Sequence, residues 1–364
     1  MEKPSRKLLL ISLGVAVLGF LLYRSRDLLH AGDFFRSAAD AVRRTNPLLL
    51  CLSLVAIYTC YGIRALRWQV LQRNLGRSRF WQIYGMTVAG FASIFLFGRP
   101  GEPVRILLLA RKEEHPVSDL FGVYVVERIL DFASTLVIAA LGLFLISSRS
   151  SADSGMAKFV PAFQTAGGLL GAAVFAAIAL VVFVRWRGAG ILERRLAPWL
   201  AAGKWKKRLA GTLLGLARGV QTIRTGSDLF LATLYSAAHW FLVLLIYLWV
   251  PHAFGGRLAE LNLGDAMLLM AFTLVGSIVQ LPGIGGGSQV ASVLVFTKVF
   301  GVEPGLAAAA AIMIWLITFA AVAIVGTPIL IHQGLSLGQL REMADHERAR
   351  EASAGDLGVS GELE

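Results

Sequence analysis

Eight long apolar runs are the feature that most constrains the fold of this chain. A membrane-spanning helix takes about 20 mostly apolar residues, with a range of about 17–25, and most of the runs reach that length. They lack the apolar/polar alternation of a transmembrane barrel. The pattern therefore predicts an all-α polytopic membrane protein, whose runs are Leu8–Leu22, Pro47–Ile63, Phe80–Phe97, Leu120–Ser147, Phe159–Val184, Leu229–Val250, Ala266–Leu281 and Gly305–Ile331.

Composition supports this prediction and excludes several other classes. Only 16% of the 364 residues are charged, against about 25% in soluble domains. The net charge of +12 does not indicate nucleic acid, because the basic residues lie in short segments between apolar runs. Cys51 and Cys60 are nine residues apart on opposite faces of one helical run, so they cannot form a disulfide with each other. We expect no nucleic-acid partner, no metal and no cofactor.

Two basic segments predict the topology, because cytoplasmic loops are enriched in Lys and Arg. Residues 64–79 contain five arginines and no acid, and residues 185–228 contain ten basic residues against Glu193 and Asp228. Both segments and the amino terminus are therefore expected on the cytoplasmic side. That arrangement requires an even number of crossings between the two segments, whereas three apolar runs separate them.

A re-entrant hairpin resolves the mismatch. Phe80–Phe97 ends in a Gly/Pro-rich break at residues 98–103, after which the short apolar piece Val104–Ala110 leads to Arg111 and Lys112. We expect this segment to enter from the cytoplasm, turn at the break, and return to the same side. Pro100 and Gly101 are its predicted hinge residues.

A second segment repeats this plan with the opposite orientation. Ala266–Leu281 runs into a break containing Pro282, Gly283 and Gly285, and the short apolar piece Gln289–Phe300 follows. The chain is thus expected to have about six full spans plus two re-entrant helical hairpins in an inverted-repeat arrangement, as in transporters whose broken segments meet near the midplane. The alternative is two ordinary kinked helices.

Ionisable residues cluster around the first break. Charges within membrane spans are costly and by default indicate function. Glu102 and Arg105 are three residues apart, and Glu127 and Asp131 are four apart, so each pair shares a helix face. We predict that Arg64, Arg105 and Arg128 bind a charged headgroup. Glu102, Glu127 and Asp131 would then form a polar network or a proton relay. The alternative is that these charges form a structural ion network that fixes the hairpin.

Four short motifs, in order, resemble a known family. They are Arg64-Ala-Leu-Arg-Trp68, Pro100-Gly-Glu-Pro-Val-Arg105, Glu127-Arg-Ile-Leu-Asp131 and Leu281-Pro-Gly-Ile-Gly285. Together they resemble the lysylphosphatidylglycerol synthase transmembrane-region family of flippase-like membrane proteins, over about residues 5–332. The resemblance implies an eight-segment membrane domain with lipid-flipping or lipid-permease activity.

The chain also departs from the pattern of that family. Ser288-Gln289 stands where many members carry Arg-Glu, and an arginine common in the last helix is replaced near Trp315. The second hairpin is therefore expected to lack its usual charge. The 33 residues after Ile331 are too few for an aminoacyl-transfer domain, so we expect no lysine transfer and no enzymatic activity.

These observations predict a flippase-like transmembrane domain over residues 1–332, with a basic cytoplasmic or interfacial segment at 185–228. Residues 333–364 read as a disordered cytoplasmic tail. The predicted location is a bacterial-type inner membrane with both termini cytoplasmic, and the predicted function is movement of an amphipathic, anionic or phosphate-bearing membrane lipid between leaflets. The alternative is a non-transporting subunit or scaffold for a separate lipid-modifying or polyprenyl-glycan enzyme.

Overall fold

The computed structural model describes residues 40–76, 78–97, 101–113, 117–149, 189–200, 225–277, 280–281 and 285–332, together with residues 165, 168, 169, 172 and 210. This part of the chain is mainly helical, with one short pair of strands. Its α-helices are α1 Pro47–Leu71, α2 Phe80–Phe97, α3 Glu102–Glu113, α4 Val117–Arg149, α5 Ala189–Leu200, α6 Gly226–Ala253, α7 Leu263–Gly276, α8 Gly287–Leu294, α9 Pro304–Trp315 and α10 Ala321–His332.

Four helical segments of the described chain are long and apolar enough to cross a membrane. They are Pro47–Leu71, Leu120–Leu145, Gly226–Ala253 and Pro304–His332, where the last combines α9, the π-helical turn Leu316–Ala320, and α10. Each corresponds to a predicted full span. The predicted runs Leu8–Leu22 and Phe159–Val184 lie wholly or almost wholly outside the described residues, as does the predicted tail from residue 333.

The outer faces of these segments carry large apolar side chains that are exposed. A water-soluble surface rarely groups so many, whereas contact with lipid chains favours them. This supports the membrane-embedded character that the apolar runs predict. Side chains more than half exposed include Leu48, Val55, Phe132, Phe144, Phe230, Phe241, Ile324 and Ile331.

Helices α2 and α3 form an antiparallel hairpin around the first break. The Ser93 hydroxyl donates to the Gly101 carbonyl at 2.8 Å, and a Cβ at Gly101 would overlap the Ser93 backbone. Farther from the turn, a Cβ at Gly90 would collide with the Arg105 side chain. The two glycines therefore allow the helices to approach more closely than any side chain would permit.

The first break is shorter than the sequence predicts. Helix α3 begins at Glu102, so residues 102 and 103 belong to its first turn rather than to the break. Proline is tolerated there because the first-turn N–H groups have no partner within the helix. The predicted hinge residue Gly101 is buried at the turn, whereas Pro100 lies outside the described residues.

A second antiparallel hairpin comprises α7 and α8. The side chains of Asn262 and Asp265 form a capping box at the start of α7. A Cβ at Gly276 would lie 2.7 Å from Ala291 Cβ, and the hydroxyls of Thr273 and Ser292 are 2.7 Å apart. The chain beyond Ser292 continues into a π-helical turn, Val295–Val299.

The second break contains one short strand pair within the otherwise helical fold that the sequence predicts. Strand β1, Gln280–Leu281, pairs antiparallel with β2, Gly285–Gly286. Gly286 has φ 116°, a backbone conformation that favours glycine. Glycine at this position therefore allows the chain to leave the strand pair and enter α8. The predicted hinge residue Gly285 lies in β2, whereas Pro282 and Gly283 lie outside the described residues.

The chain divides into two compact units. The first-break unit contains the described parts of residues 58–133, 176–239 and 319–364; the second-break unit contains those of 1–57, 134–175 and 240–318. The core of the first-break unit joins α1, α2, α3 and α4 through buried apolar side chains, which include Trp68, Leu71, Ile83, Met86, Leu109 and Leu120.

The prediction of a loop over residues 64–79 is wrong for its first half, because α1 continues to Leu71. Arg64 and Arg67 are 7% and 0% exposed within this helix. Arginine is a good helix former, and the helix can carry buried arginines because carboxylates of the same unit pair with them. The basic segment thus includes two buried cations as well as solvent-facing ones.

Close packing of α10 against α2 generates a testable prediction. A Cβ at Gly326 would lie 2.7 Å from Ala92 Cβ and would also overlap the Val88 backbone. We expect Gly326→Ala to separate the helices, cost about 1–3 kcal/mol through overpacking, and lower the Tm in detergent. Gly226→Ala is the matched control, because no atom lies within 4 Å of its added Cβ. Equal Tm values for the two variants would contradict the described packing.

Candidate functional site

Two buried carboxylates on α4 form the centre of the candidate site. Glu127 and Asp131 are separated by about one helical turn, so both face the same neighbours. Their residues are 1% and 6% exposed. A carboxylate so buried requires cations or several hydrogen-bond donors to remain ionised.

Helix α1 supplies two of the cations. Arg64 Nη2 lies 3.1 Å from Glu127 Oε1 and 3.0 Å from Asp131 Oδ2. Arg67 Nη2 lies 2.8 Å from Glu127 Oε1, and Arg67 Nη1 lies 2.7 Å from Asp131 Oδ1. Because they are three residues apart, the two arginines share a face of α1, and each bridges both carboxylates.

The first hairpin supplies the third cation. Arg105 on α3 donates to both oxygens of Glu127, through Nη1 at 3.2 Å to Oε1 and through Nη2 to Oε2. Its guanidinium also lies over the Trp68 ring, 4.5 Å from the centroid. Arg105 is 4% exposed. It therefore ties the return arm of the hairpin to α1 and α4.

Arg128 differs from the other three arginines in its exposure. Its Nη2 lies 2.8 Å from Asp131 Oδ2 and 3.5 Å from Glu127 Oε1. The guanidinium lies over the Tyr124 ring, 5.2 Å from the centroid. Its side chain is 38% exposed, whereas those of Arg64 and Arg105 are 7% and 5% exposed. Arg128 is thus anchored by the cluster and still accessible.

Helix α6 contributes a neutral side chain. The Ser236 hydroxyl accepts from Arg67 Nη1 at 2.8 Å and donates to the Ala232 carbonyl at 2.8 Å. Ser236 is 1% exposed. The charged cluster, defined as Arg64, Arg67, Arg105, Glu127, Arg128 and Asp131, thereby contacts a fourth helix.

The charged cluster carries more positive than negative charge. Its four guanidinium groups face two carboxylates, and one positive charge remains in excess even when Glu102 is counted.

The charged cluster lies about two helical turns from the nearby ends of its helices. Arg64 lies seven residues before the end of α1, and Glu127 lies seven residues after the start of the apolar span at Leu120. At about 1.5 Å per residue, each is about 10 Å along its helix from that end.

The structure brings together five of the six predicted charged residues. Arg64, Arg105, Glu127, Arg128 and Asp131 are all members of the cluster. Glu102 begins α3, but its side chain lies outside the described part of the structure. The assignment of headgroup-binding and proton-relay roles to these residues stays a prediction.

Sequence reasoning misses Arg67 and Ser236. The basic pattern groups Arg67 with the loop arginines, although it follows Arg64 by three residues and the apolar pattern continues to Leu71. That continuation is the available signal, since it places both arginines on one helix face. Ser236 has no comparable signal, because a serine in a span is equally consistent with helix packing.

Among the residues that the structure describes, the polar groups that bond at the second break are neutral. Gln289 Oε1 accepts from the Gly286 N–H at 2.6 Å and from the Ser288 hydroxyl at 3.1 Å. Gln289 therefore caps the start of α8. No group of three or more His, Cys, Asp or Glu side chains able to hold a metal occurs among the described residues.

Comparison with known proteins identifies the family. The model of the lysylphosphatidylglycerol synthase TM region matches residues 8–326. The chain belongs to this family. The match includes the charged cluster and both breaks, and it confirms the resemblance based on the four motifs.

Another similar protein extends this comparison to a curated relative. A protein described as a UPF0104 membrane protein, from Methanothermobacter thermautotrophicus, is 24% identical over 322 residues. The aligned region covers 82% of this family member and 90% of the relative. No solved structure matches the chain.

The contacts of the arginines predict different stability effects. We expect Arg67→Gln to cost about 3–5 kcal/mol, because removal of one partner leaves buried charges unpaired. Arg128→Gln should cost clearly less, since its side chain is 38% exposed and solvent-screened. Thermal unfolding of the purified variants in detergent measures the difference. A larger loss of Tm for Arg128→Gln would contradict the described burial.

Proposed function

We propose that this membrane protein is a flippase or permease that moves an amphipathic lipid between leaflets. The lipid would carry an anionic or phosphate-bearing headgroup, which would cross near the first break while its acyl chains stay in the bilayer. The observation that carries the proposal is the charged cluster, whose arginines outnumber its carboxylates inside apolar helices. Buried charge at such positions is costly, so its presence indicates a function or a specific structural role.

The hairpin geometry supports a re-entrant segment at this site. Helix α3 has 12 residues, which span about 18 Å at 1.5 Å per residue. The hydrocarbon core is about 30 Å thick, so α3 alone is too short to cross it. We propose six spans and two re-entrant hairpins in an inner (cytoplasmic) membrane, with both termini and the ends of the first hairpin on the cytoplasmic side.

In the proposed transport, the charged cluster is the binding site that attracts the headgroup electrostatically. Excess positive charge in a low-dielectric region attracts an anion that water would otherwise solvate. Glu127 and Asp131 hold the guanidinium groups in position, so the site is formed before the lipid arrives. The sequence contains no Gly-Lys-Ser/Thr nucleotide-binding motif, so we propose passive or ion-coupled movement without lipid chemistry.

Reconstitution into liposomes tests this function. Vesicles containing a fluorescent phosphatidylglycerol on both leaflets receive dithionite, which bleaches only the outer-leaflet probe. We expect the wild-type protein to expose inner-leaflet lipid at least tenfold faster than empty vesicles do. Asp131→Asn removes the negative charge that pairs with three arginines and replaces one acceptor oxygen by an NH2 donor, so it should slow this movement.

Glu260→Gln is the matched control, because Glu260 is an exposed acid outside the charged cluster. It should transport at the wild-type rate. Folded wild-type protein that leaves the inner leaflet protected would contradict the proposal. The same result combined with stoichiometric co-purification of a lipid-modifying enzyme would instead favour a non-transporting subunit.

A further inference from the structure

Several buried polar atoms of the first-break unit have no hydrogen-bond partner among the described residues. Buried polar groups are almost always paired, so each such atom requires an explanation, and a bound water is a common one. The residues that carry these atoms lie on α1, α2 and α3 or directly after α1. The atoms are Arg67 Nε, Trp68 Nε1, Gln72 Oε1, Thr87 Oγ1 and Glu113 Oε1.

We propose that ordered water binds beside the first hairpin, between Trp68, Gln72 and Glu113. This water site connects the charged cluster with the aqueous phase at the open end of the hairpin. It goes beyond the proposed function, because the site exists whether or not the protein moves lipid.

The contacts of Gln72 bring the side chains of the water site together. Gln72 Nε2 donates to Glu113 Oε2 at 3.0 Å and to the Ser78 hydroxyl, so the unpaired oxygens of Gln72 and Glu113 belong to two bonded side chains. The Gln72 N–H donates to the Trp68 carbonyl at 2.9 Å, which places Gln72 and Trp68 on one helix face. Gln72 is 0% exposed and Trp68 is 1% exposed, so bulk solvent does not satisfy their unpaired atoms.

The spacing of these residues suits a bridging water. Four residues rise about 6 Å along an α-helix, and a polar atom that bonds to a water lies about 3 Å from its oxygen. About one or two waters therefore bridge the distance between Trp68 and the Gln72–Glu113 pair.

The pattern of donors and acceptors selects water over other ligands. The indole N–H of Trp68 only donates, whereas Gln72 Oε1 and the Glu113 carboxylate only accept. An inorganic anion would face two acceptors, and a metal cation would face the indole N–H. A lipid hydroxyl has one proton and would leave one acceptor unpaired. Water donates twice and accepts, and buried waters typically make about three such hydrogen bonds.

Trp68 links the water site to the charged cluster. The Arg105 guanidinium lies over the Trp68 ring, 4.5 Å from the centroid, and Arg67 carries a further unpaired donor at Nε. At the other end of the site, Glu113 is the last residue of α3 and is partly exposed. Water between these ends lowers the electrostatic cost of the buried charges, because it raises the local dielectric.

Hydroxyl-radical footprinting tests for this water. Brief X-ray pulses generate hydroxyl radicals from water, so side chains that contact bound or bulk water are oxidised, and mass spectrometry locates them. Phe296 is the reference, because it is an aromatic side chain that is 0% exposed and has no polar atom. In folded wild-type protein, after correction for the reactivity of each ring, Trp68 should be oxidised about tenfold faster than Phe296, because ordered water contacts it.

Two glutamine variants test the assignment of the water ligands. Gln72→Leu removes an acceptor of the site and should lower the oxidation of Trp68 several-fold. Gln69→Leu is the matched control, because Gln69 also bonds to Ser78, by donating to its carbonyl at 2.8 Å. This control should leave the oxidation of Trp68 at the wild-type rate. Amide hydrogen exchange along α1 measures local opening in all three proteins.

Several results would overturn the water site. Equal oxidation of Trp68 and Phe296 in the wild type would show that Trp68 contacts no water, whether or not Gln72→Leu folds. Unchanged oxidation in Gln72→Leu, or an equal decrease in both variants, would exclude Gln72 as a specific ligand. Rapid amide exchange around Trp68 in the wild type would mean that local opening admits the radicals. Oxidation of Trp68 without lipid movement in liposomes would refute only the proposed function.

Discussion

The pairing of Glu127 with arginines from two other helices is the interaction on which the first-break unit depends. A carboxylate that is 1% exposed inside apolar helices is tolerable only if cations lie within hydrogen-bond distance. Arg64 and Arg67 on α1 and Arg105 on α3 meet this requirement. The same pairing therefore compensates the charge of the buried carboxylate and sets the relative positions of α1, α3 and α4.

Glycine makes this pairing possible. Arg105 reaches Glu127 from an arm that packs directly against Gly90, and the turn of that arm packs against Ser93 through Gly101. A side chain at either glycine would push α3 away from α2. The second-break unit has the same kind of close approach at Gly276, but its described polar contacts join hydroxyl and amide groups. The two hairpins thus share a backbone plan, and among the described residues the charged cluster belongs to the first.

The sequence predicts much of this arrangement, for identifiable physical reasons. Long apolar runs predict the four described spans, and helical spacing alone places Glu127 and Asp131 on one face, where both contact Arg64. The full extent of α1 is not predicted, because arginines usually end a span, whereas here buried carboxylates neutralise them. The strand pair at Gly285 and the contact of Ser236 depend on tertiary neighbours, which local patterns do not encode.

Side-specific labelling of the first hairpin tests whether this segment is re-entrant. Arg79 and Arg111 are exposed residues at the open end of this hairpin, and single cysteines can replace them after Cys51→Ser and Cys60→Ala remove the native thiols. A membrane-impermeant maleimide should label positions 79 and 111 from the same side of the membrane as a cysteine at Lys206. Labelling of positions 79 and 111 from opposite sides would mean a full crossing, and the charged cluster could not then lie near the turn of a re-entrant hairpin.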